Sequence, residues 1–258
     1  MKKSFVYFLA TFISLLFYSC VKDTVVKKTD EVVPPITTGE ILVNFNAIAN
    51  AKNLIPKNKW YSNTSSEVYT VTKLTYYISN VKLTSTSGKV YIEPESYHLI
   101  KHVDSATTFL MKAVPVDTYS KIEFLIGVDS TRNVSGAQTG ALDPANNMFW
   151  EWKSGYIFFK LEGSYASATI NEMEYALHIG GFKGKFSTLQ TCSMNLNTPI
   201  TSQLSKTSKL YVNVNVDEIF KTPTKFSLDQ YYLFIGDSMF NLVSKNYKNM
   251  FVLDKVEN

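Results

Sequence analysis

Between Leu210 and Val216 the chain reads Leu-Tyr-Val-Asn-Val-Asn-Val. Val212, Val214 and Val216 therefore project one way from an extended backbone, and Asn213 and Asn215 the other. A period of two suits a strand with one face buried; a helix would scatter the valines around its axis. The same alternation, rich in Val, Ile, Tyr, Phe and Thr and separated by turn residues, runs through Ile41 to Ala47, Val68 to Leu83, Lys89 to Ile100, Lys121 to Val128, Gly155 to Glu162, Met173 to Ile179 and Gln230 to Ile235. Helical period is confined to Leu242, Val243, Tyr247, Met250 and Phe251 near the C-terminus. No internal repeat is present. The expected fold class is all-β, an antiparallel β-sandwich with short helices.

The N-terminus predicts where such a domain works. Lys2 and Lys3 precede an apolar stretch from Ser4 to Phe17, and Tyr18-Ser19-Cys20 closes it, which is the order of a secretory signal. The run is shorter than the roughly 20 apolar residues that span a bilayer. A cysteine at the cleavage site predicts a bacterial lipoprotein, cleaved before Cys20, with the thiol carrying the lipid; plain secretion and a retained anchor are the alternatives. Residues 1–19 then form the signal peptide, 20–39 a lipidated start and flexible tether containing Pro34-Pro35, and 40–258 the sandwich domain. The expected location is the outer membrane, on its periplasmic or cell-surface face, with the Cys20 lipid as the membrane contact. Cys20-Val21-Lys22-Asp23 partly resembles the Lys-then-acidic tag that takes some Bacteroidetes lipoproteins to the surface. Only Cys192 remains beside Cys20, so no intramolecular disulfide supports the mature fold.

Composition narrows function by exclusion. Removing Lys2 and Lys3 takes the 26 basic residues to 24, which nearly balance the 22 acidic ones, and no basic block interleaved with aromatics marks a nucleic-acid surface. The 16 Tyr and 17 Phe read first as sandwich core; Trp60-Tyr61 reads either as an exposed stacking platform or as a buried loop anchor. No Gly-x-Ser-x-Gly elbow, phosphate loop or HExxH run occurs, and the 3 histidines leave little for acid–base relays, so no enzyme activity is expected. His98 and His102 sit at a strand end compatible with solvent. His178 precedes Ile179-Gly180-Gly181 at the end of an apolar strand, a setting that suits either a ligand or a structural histidine.

The longest polar interruption runs from Gly127-Val-Asp-Ser-Thr-Arg-Asn133 through Leu142-Asp-Pro144 and meets the aromatic stretch Met148-Phe-Trp-Glu-Trp152. Loops of this kind commonly carry function. Asp129, Asp143, Asp104 and Glu162 supply carboxylates that could pair for glycosidase chemistry or hold calcium. Asp129 and Asp143 stand in turn contexts where the side chain caps its own backbone, and the Asp-x-Asp-x-Asp order of a calcium loop is missing.

This block, followed by Lys153-Ser-Gly-Tyr-Ile-Phe-Phe-Lys-Leu-Glu-Gly163, resembles the copper-binding MbnP-like family of bacterial envelope proteins. Leu74-Thr-Tyr-Tyr-Ile-Ser-Asn-Val-Lys-Leu83, Val114-Pro-Val-Asp-Thr-Tyr119, His178-Ile-Gly-Gly181 and Asn246-Tyr-Lys-Asn-Met-Phe251 extend the likeness over most of the mature chain. The resemblance implies a β-sandwich that binds copper, with His178 as a metal ligand and Trp150 and Trp152 as its paired tryptophans. In some members a tryptophan is oxidised to kynurenine by a dihaem peroxidase of the MbnH type, which makes such an enzyme an implied partner. Asn133 matches a family asparagine in the loop.

Two departures bear on the metal. Relatives carry histidine where this chain has Ala47 and, in one branch, Val134. Met148 or a carboxylate would then have to complete the site, since imidazole and thioether donors both suit copper. The expectation is a copper-binding envelope lipoprotein for metal acquisition or storage; the alternative is a metal-free surface interaction or adhesion module on the same scaffold.

Overall fold

The computed structural model describes residues 37–258 except 137, 152, 153 and 236–238, and of residues 234 and 235 the backbone alone. The expected signal peptide, Cys20, the expected tether up to residue 36 and Trp152 lie outside the described residues. No described helix is long and apolar enough to cross a membrane.

Two sheets enclose one aromatic core. In the first, Phe251–Glu257 pairs with Thr207–Asn215, which pairs with Thr38–Ala49; Lys52–Asn53 and Thr108–Pro115 flank the far side of Thr38–Ala49. The second runs Gln190–Thr201, Thr118–Ile126, Lys73–Ser85, Gly155–Ala166, Met173–Gly180, Leu233–Ile235. Shorter strands, including Tyr97–Lys101 on Lys73–Ser85 and Phe149–Glu151 on Gly155–Ala166, join it.

Alternation sets which residues meet. Ile41, Val43, Phe45, Ala47 and Ala49 turn inward from the first strand, beside Leu210, Val212 and Val214 in register. Leu74, Tyr76, Ile78, Phe124, Phe159, Leu161, Leu177 and Ile179 oppose them from the second sheet. Phe45 sits at the centre, edge-on to Tyr76 at 6.1 Å, Phe124 at 6.3 Å and Phe251 at 6.1 Å. Edge-to-face contacts of this kind put the positive rim of one ring on the negative face of the next.

The pairing departs from a purely antiparallel sandwich. Thr38–Ala49 runs parallel to Thr207–Asn215, and Met173–Gly180 parallel to Leu233–Ile235. Parallel neighbours need a long crossover; in the first pair the crossover contains most of the second sheet. The C-terminal helix is Phe240–Tyr247, and Phe251 opens the last strand instead of continuing the helical face. Phe240, Val243 and Tyr247 bury that helix, while Leu242 is exposed.

A second, smaller core lies on the outer face of the second sheet. The described residues between 128 and 151 fold back over that face, and Tyr77, Val128, Leu142, Met148, Tyr156, Ile157 and Phe158 are buried together.

Candidate functional site

The polar loop that covers this outer face is pinned by its own side chains. Asp129 caps the helical turn Ser130–Asn133 by accepting from the amides of Thr131 and Arg132, each at 3.1 Å, and accepts the Tyr97 hydroxyl at 2.5 Å. Burial opposes ionisation of Asp129, but these donors outweigh it and hold the carboxyl below its ordinary range. Asn133, 2% exposed, reaches into the next turn, where its Oδ1 accepts the Tyr156 amide at 2.9 Å. Gly155 makes room for it: φ is +75° there, and a Cβ would lie 2.4 Å from Asn133 Oδ1. Asp143 caps Pro144–Asn146 through the Ala145 amide. The hydroxyls of Tyr77 and Tyr156 donate to the carbonyls of Ala141 and Leu142. Asp129, Asn133 and Asp143 thus hold the loop's backbone in place.

Beside the loop, the outward residues of neighbouring strands form rows. Lys101, Thr75, Lys160 and His178 stand in register across four strands. In the next row Lys73 faces Glu162, which faces Ala176. His178 lies diagonally from Glu162, and its Nε2 meets Glu162 Oε1 at 2.7 Å. That contact is the first cause, ahead of opposing burial, of a Glu162 carboxyl held below its ordinary range. Glu162 also borders a surface cavity of about 210 Å³ with Glu174, Tyr175 and Leu233. The Trp150 ring lies against Gly180 on the same strand as His178, two residues further on.

The other sequence-level donors lie elsewhere. Met148 is 1% exposed and packs within the outer-face core. Ala47 points into the interlayer core from the first sheet, whereas His178 alternates with the buried Leu177 and Ile179 and so faces outward from the second. A histidine at position 47 would therefore not meet His178 on one face. Val134 is exposed. His98 and His102 do not face open solvent: His98 stacks on Phe109 at 3.8 Å and meets Glu93, and His102 meets the buried Tyr76 hydroxyl at 2.9 Å. Burial pushes the Cys192 thiol up to about 12, away from the thiolate a metal needs. Among the described residues, no three His, Cys, Asp or Glu side chains gather as metal ligands would.

An imidazole and a carboxylate in contact offer nitrogen and oxygen donors, which suit Cu(II); a Cu(I) site calls for soft sulfur, and the Met148 thioether is turned into the core. Glu162 as the His178 partner is not legible from sequence spacing, because the two meet only through strand pairing.

The architecture is an all-β sandwich whose outer face carries a pinned, aromatic-edged loop. The chain belongs to the MbnP family, which it matches over residues 38–238. Its fold is similar to that of MbnP from Methylosinus trichosporium, with a TM-score of 0.51 at 14% identity, covering 74% of this chain and 82% of that one. No curated protein matches the sequence.

Proposed function

We propose that this MbnP-family protein is an envelope lipoprotein, anchored through Cys20, that binds copper as Cu(II) at the pair His178 and Glu162. What carries the reading is the 2.7 Å contact between Nε2 and Oε1 on the outer face of the second sheet, with the Trp150 indole lying against Gly180, two residues along the strand from His178. His178 would supply the nitrogen donor and Glu162 the oxygen donor, with water in the remaining positions. Two protein donors make a weaker site than the full set of the family, and binding that needs a neutral imidazole weakens in acid. Trp150, and Trp152 beside it in sequence, are the residues a dihaem peroxidase partner would modify.

The test is Cu(II) titration of the whole protein, followed by electron paramagnetic resonance and tryptophan fluorescence. Wild type should bind one ion with nitrogen coupling in its spectrum, His178→Ala should lose that coupling, and Glu162→Gln should bind more weakly. Equal binding and identical spectra in wild type and His178→Ala would remove the site. The second reading, a metal-free interaction module, rests on Met148 lying in the core and Ala47 facing away from His178. It gains if wild-type protein purified from its envelope carries no copper and shows unmodified tryptophans by mass spectrometry.

A further inference from the structure

The row that ends at His178 contains two lysines, and a third lies in the neighbouring row. Lys101 and Lys160 stand on either side of Thr75 in register. Adjacent strands lie roughly 4.8 Å apart, so the two lysine backbones are separated by roughly 10 Å with the threonine as floor between them. Lys73 precedes Thr75 by two residues and projects to the same face. All three lysines and Thr75 line one cavity of about 120 Å³, roofed by the loop at Asn146 and Met148.

The charge in this cavity is poorly balanced. Asp104, exposed at the mouth, is its only acidic lining residue, and none of the three lysines forms an ion pair among the described residues. The nearby Glu162 is engaged by His178. Lys160 is the anomaly: 7% exposed on a strand, its Nζ donates to the Asn147 carbonyl at 2.6 Å. A buried ammonium held by one neutral acceptor is costly, and an ammonium carries three donors to satisfy. Lys101 Nζ donates to Asn146 Oδ1 at 3.2 Å, which holds a second ammonium against the roof.

We propose that this cavity, between Lys73, Lys101 and Lys160 over Thr75, is a binding site for a small oxyanion. Its size decides the class of ligand: sites for drug-sized organic molecules run to roughly 300–1,000 Å³, and this one admits a group of a few heavy atoms. The ammonium groups supply charge-assisted hydrogen bonds to the oxygens, and the Thr75 hydroxyl supplies a neutral one from below. The anion would arrive past Asp104 and Asn147, and the loop that covers the outer face would be tied to the sheet through it. The site makes no use of copper.

The experiment is titration of the full chain with inorganic phosphate in chelator-containing buffer, read by calorimetry and by the NMR shifts of the lysine side chains. Saturable one-to-one binding is expected, with the Lys160 signal moving most. Lys101→Met and Thr75→Val, which leave the buried Lys160 in place, should weaken binding, the lysine change by about tenfold or more; Lys160→Met should abolish it. Lys209→Met, on the opposite sheet, should leave it unchanged. A free anion and a lipid headgroup share this chemistry, so vesicles containing phosphatidic acid are compared with uncharged ones: retention lost in Lys101→Met identifies a headgroup as a source, and no retention identifies the free ion. The proposal is overturned if phosphate does not bind saturably, or if Lys209→Met weakens binding as much as Lys101→Met.

Discussion

The six-membered ring of Trp150 rests on the α-carbon of Gly180, where a methyl group would come within 2.7 Å of Cζ3 and 3.1 Å of Cη2. The same methyl would meet the Tyr156 carbonyl at 2.5 Å, so backbone blocks one side and the indole the other. On its own plane the indole stacks parallel to Phe240 at 6.4 Å, which ties the loop to the C-terminal helix. Gly180 thus has a physical role apart from any metal: it leaves a flat place for the ring.

Gly180→Ala should consequently destabilise the protein by about 1–3 kcal/mol, the usual cost of overpacking a closed site. Because Trp150 must move, its fluorescence maximum should shift to the red in the folded state. Urea unfolding together with emission spectra checks this. A variant as stable as wild type with unchanged emission would mean that the ring does not occupy this position.

Asp129 serves the loop as a cap and as the acceptor for Tyr97. Asp129→Ala removes both, leaving two amides and a hydroxyl without their acceptor, and should cost about 1–2 kcal/mol. Asn is itself a good cap, so Asp129→Asn should retain most of the stability. For a domain of this size each kcal/mol moves Tm by roughly 2–4 °C, and thermal unfolding of the two variants separates the cap from the charge. Equal losses in both would show that the charge, not the cap, holds the turn.

The proposed lipid anchor makes its own prediction. Cys20→Ala should release the protein from the membrane fraction, and wild-type Cys20 should appear by mass spectrometry as the acylated N-terminus. A Cys20→Ala protein that stays in the membrane at full length would contradict the anchor.

Much of the sandwich was legible because alternation is strong where the buried residues are large and branched, as in Leu210 to Val216. It failed where the buried face is weakly apolar. Gln190–Thr201 buries Cys192, Met194 and Leu196 between Ser, Asn and Thr, a strand that reads as polar loop. Thr108–Pro115 is interrupted by Ala113 at φ +54°, which breaks its period. Between Val68 and Leu83 the sequence suggests one strand, yet Val68–Tyr69 and Lys73–Ser85 are separate strands. Residues near the candidate site were legible one at a time, His178 and Trp150 among them. Their partners were not, since the diagonal contact of His178 with Glu162 and the row of Lys101, Thr75 and Lys160 exist only through register. Register depends on which strands pair, and no local spacing reports it.

His102 offers a test of burial through pH. Its imidazole is pushed down to about 4 by burial against Tyr76, while an unfolded chain has the ordinary histidine value near 6.5. Burial also keeps the Tyr76 hydroxyl protonated far above its ordinary range, and that hydroxyl shares a hydrogen bond with Nε2 at 2.9 Å. Below about pH 6.5 the unfolded chain takes up a proton that the folded one refuses, so the contribution of His102 to stability is full above that pH. It is lost as pH falls toward about 4 and is constant once both states are protonated. The loss should be on the order of 1–3 kcal/mol, at about 1.4 kcal/mol per pKa unit. His102→Gln keeps an acceptor for Tyr76 and removes the titration. Unfolding free energies of wild type and His102→Gln, measured from pH 7.5 to 4.5 as roughly spaced steps, should converge as pH falls. Because His98 and His178 are present in both proteins, the difference isolates His102. Parallel curves would show that His102 titrates alike in the folded and unfolded chains and is not sealed against Tyr76.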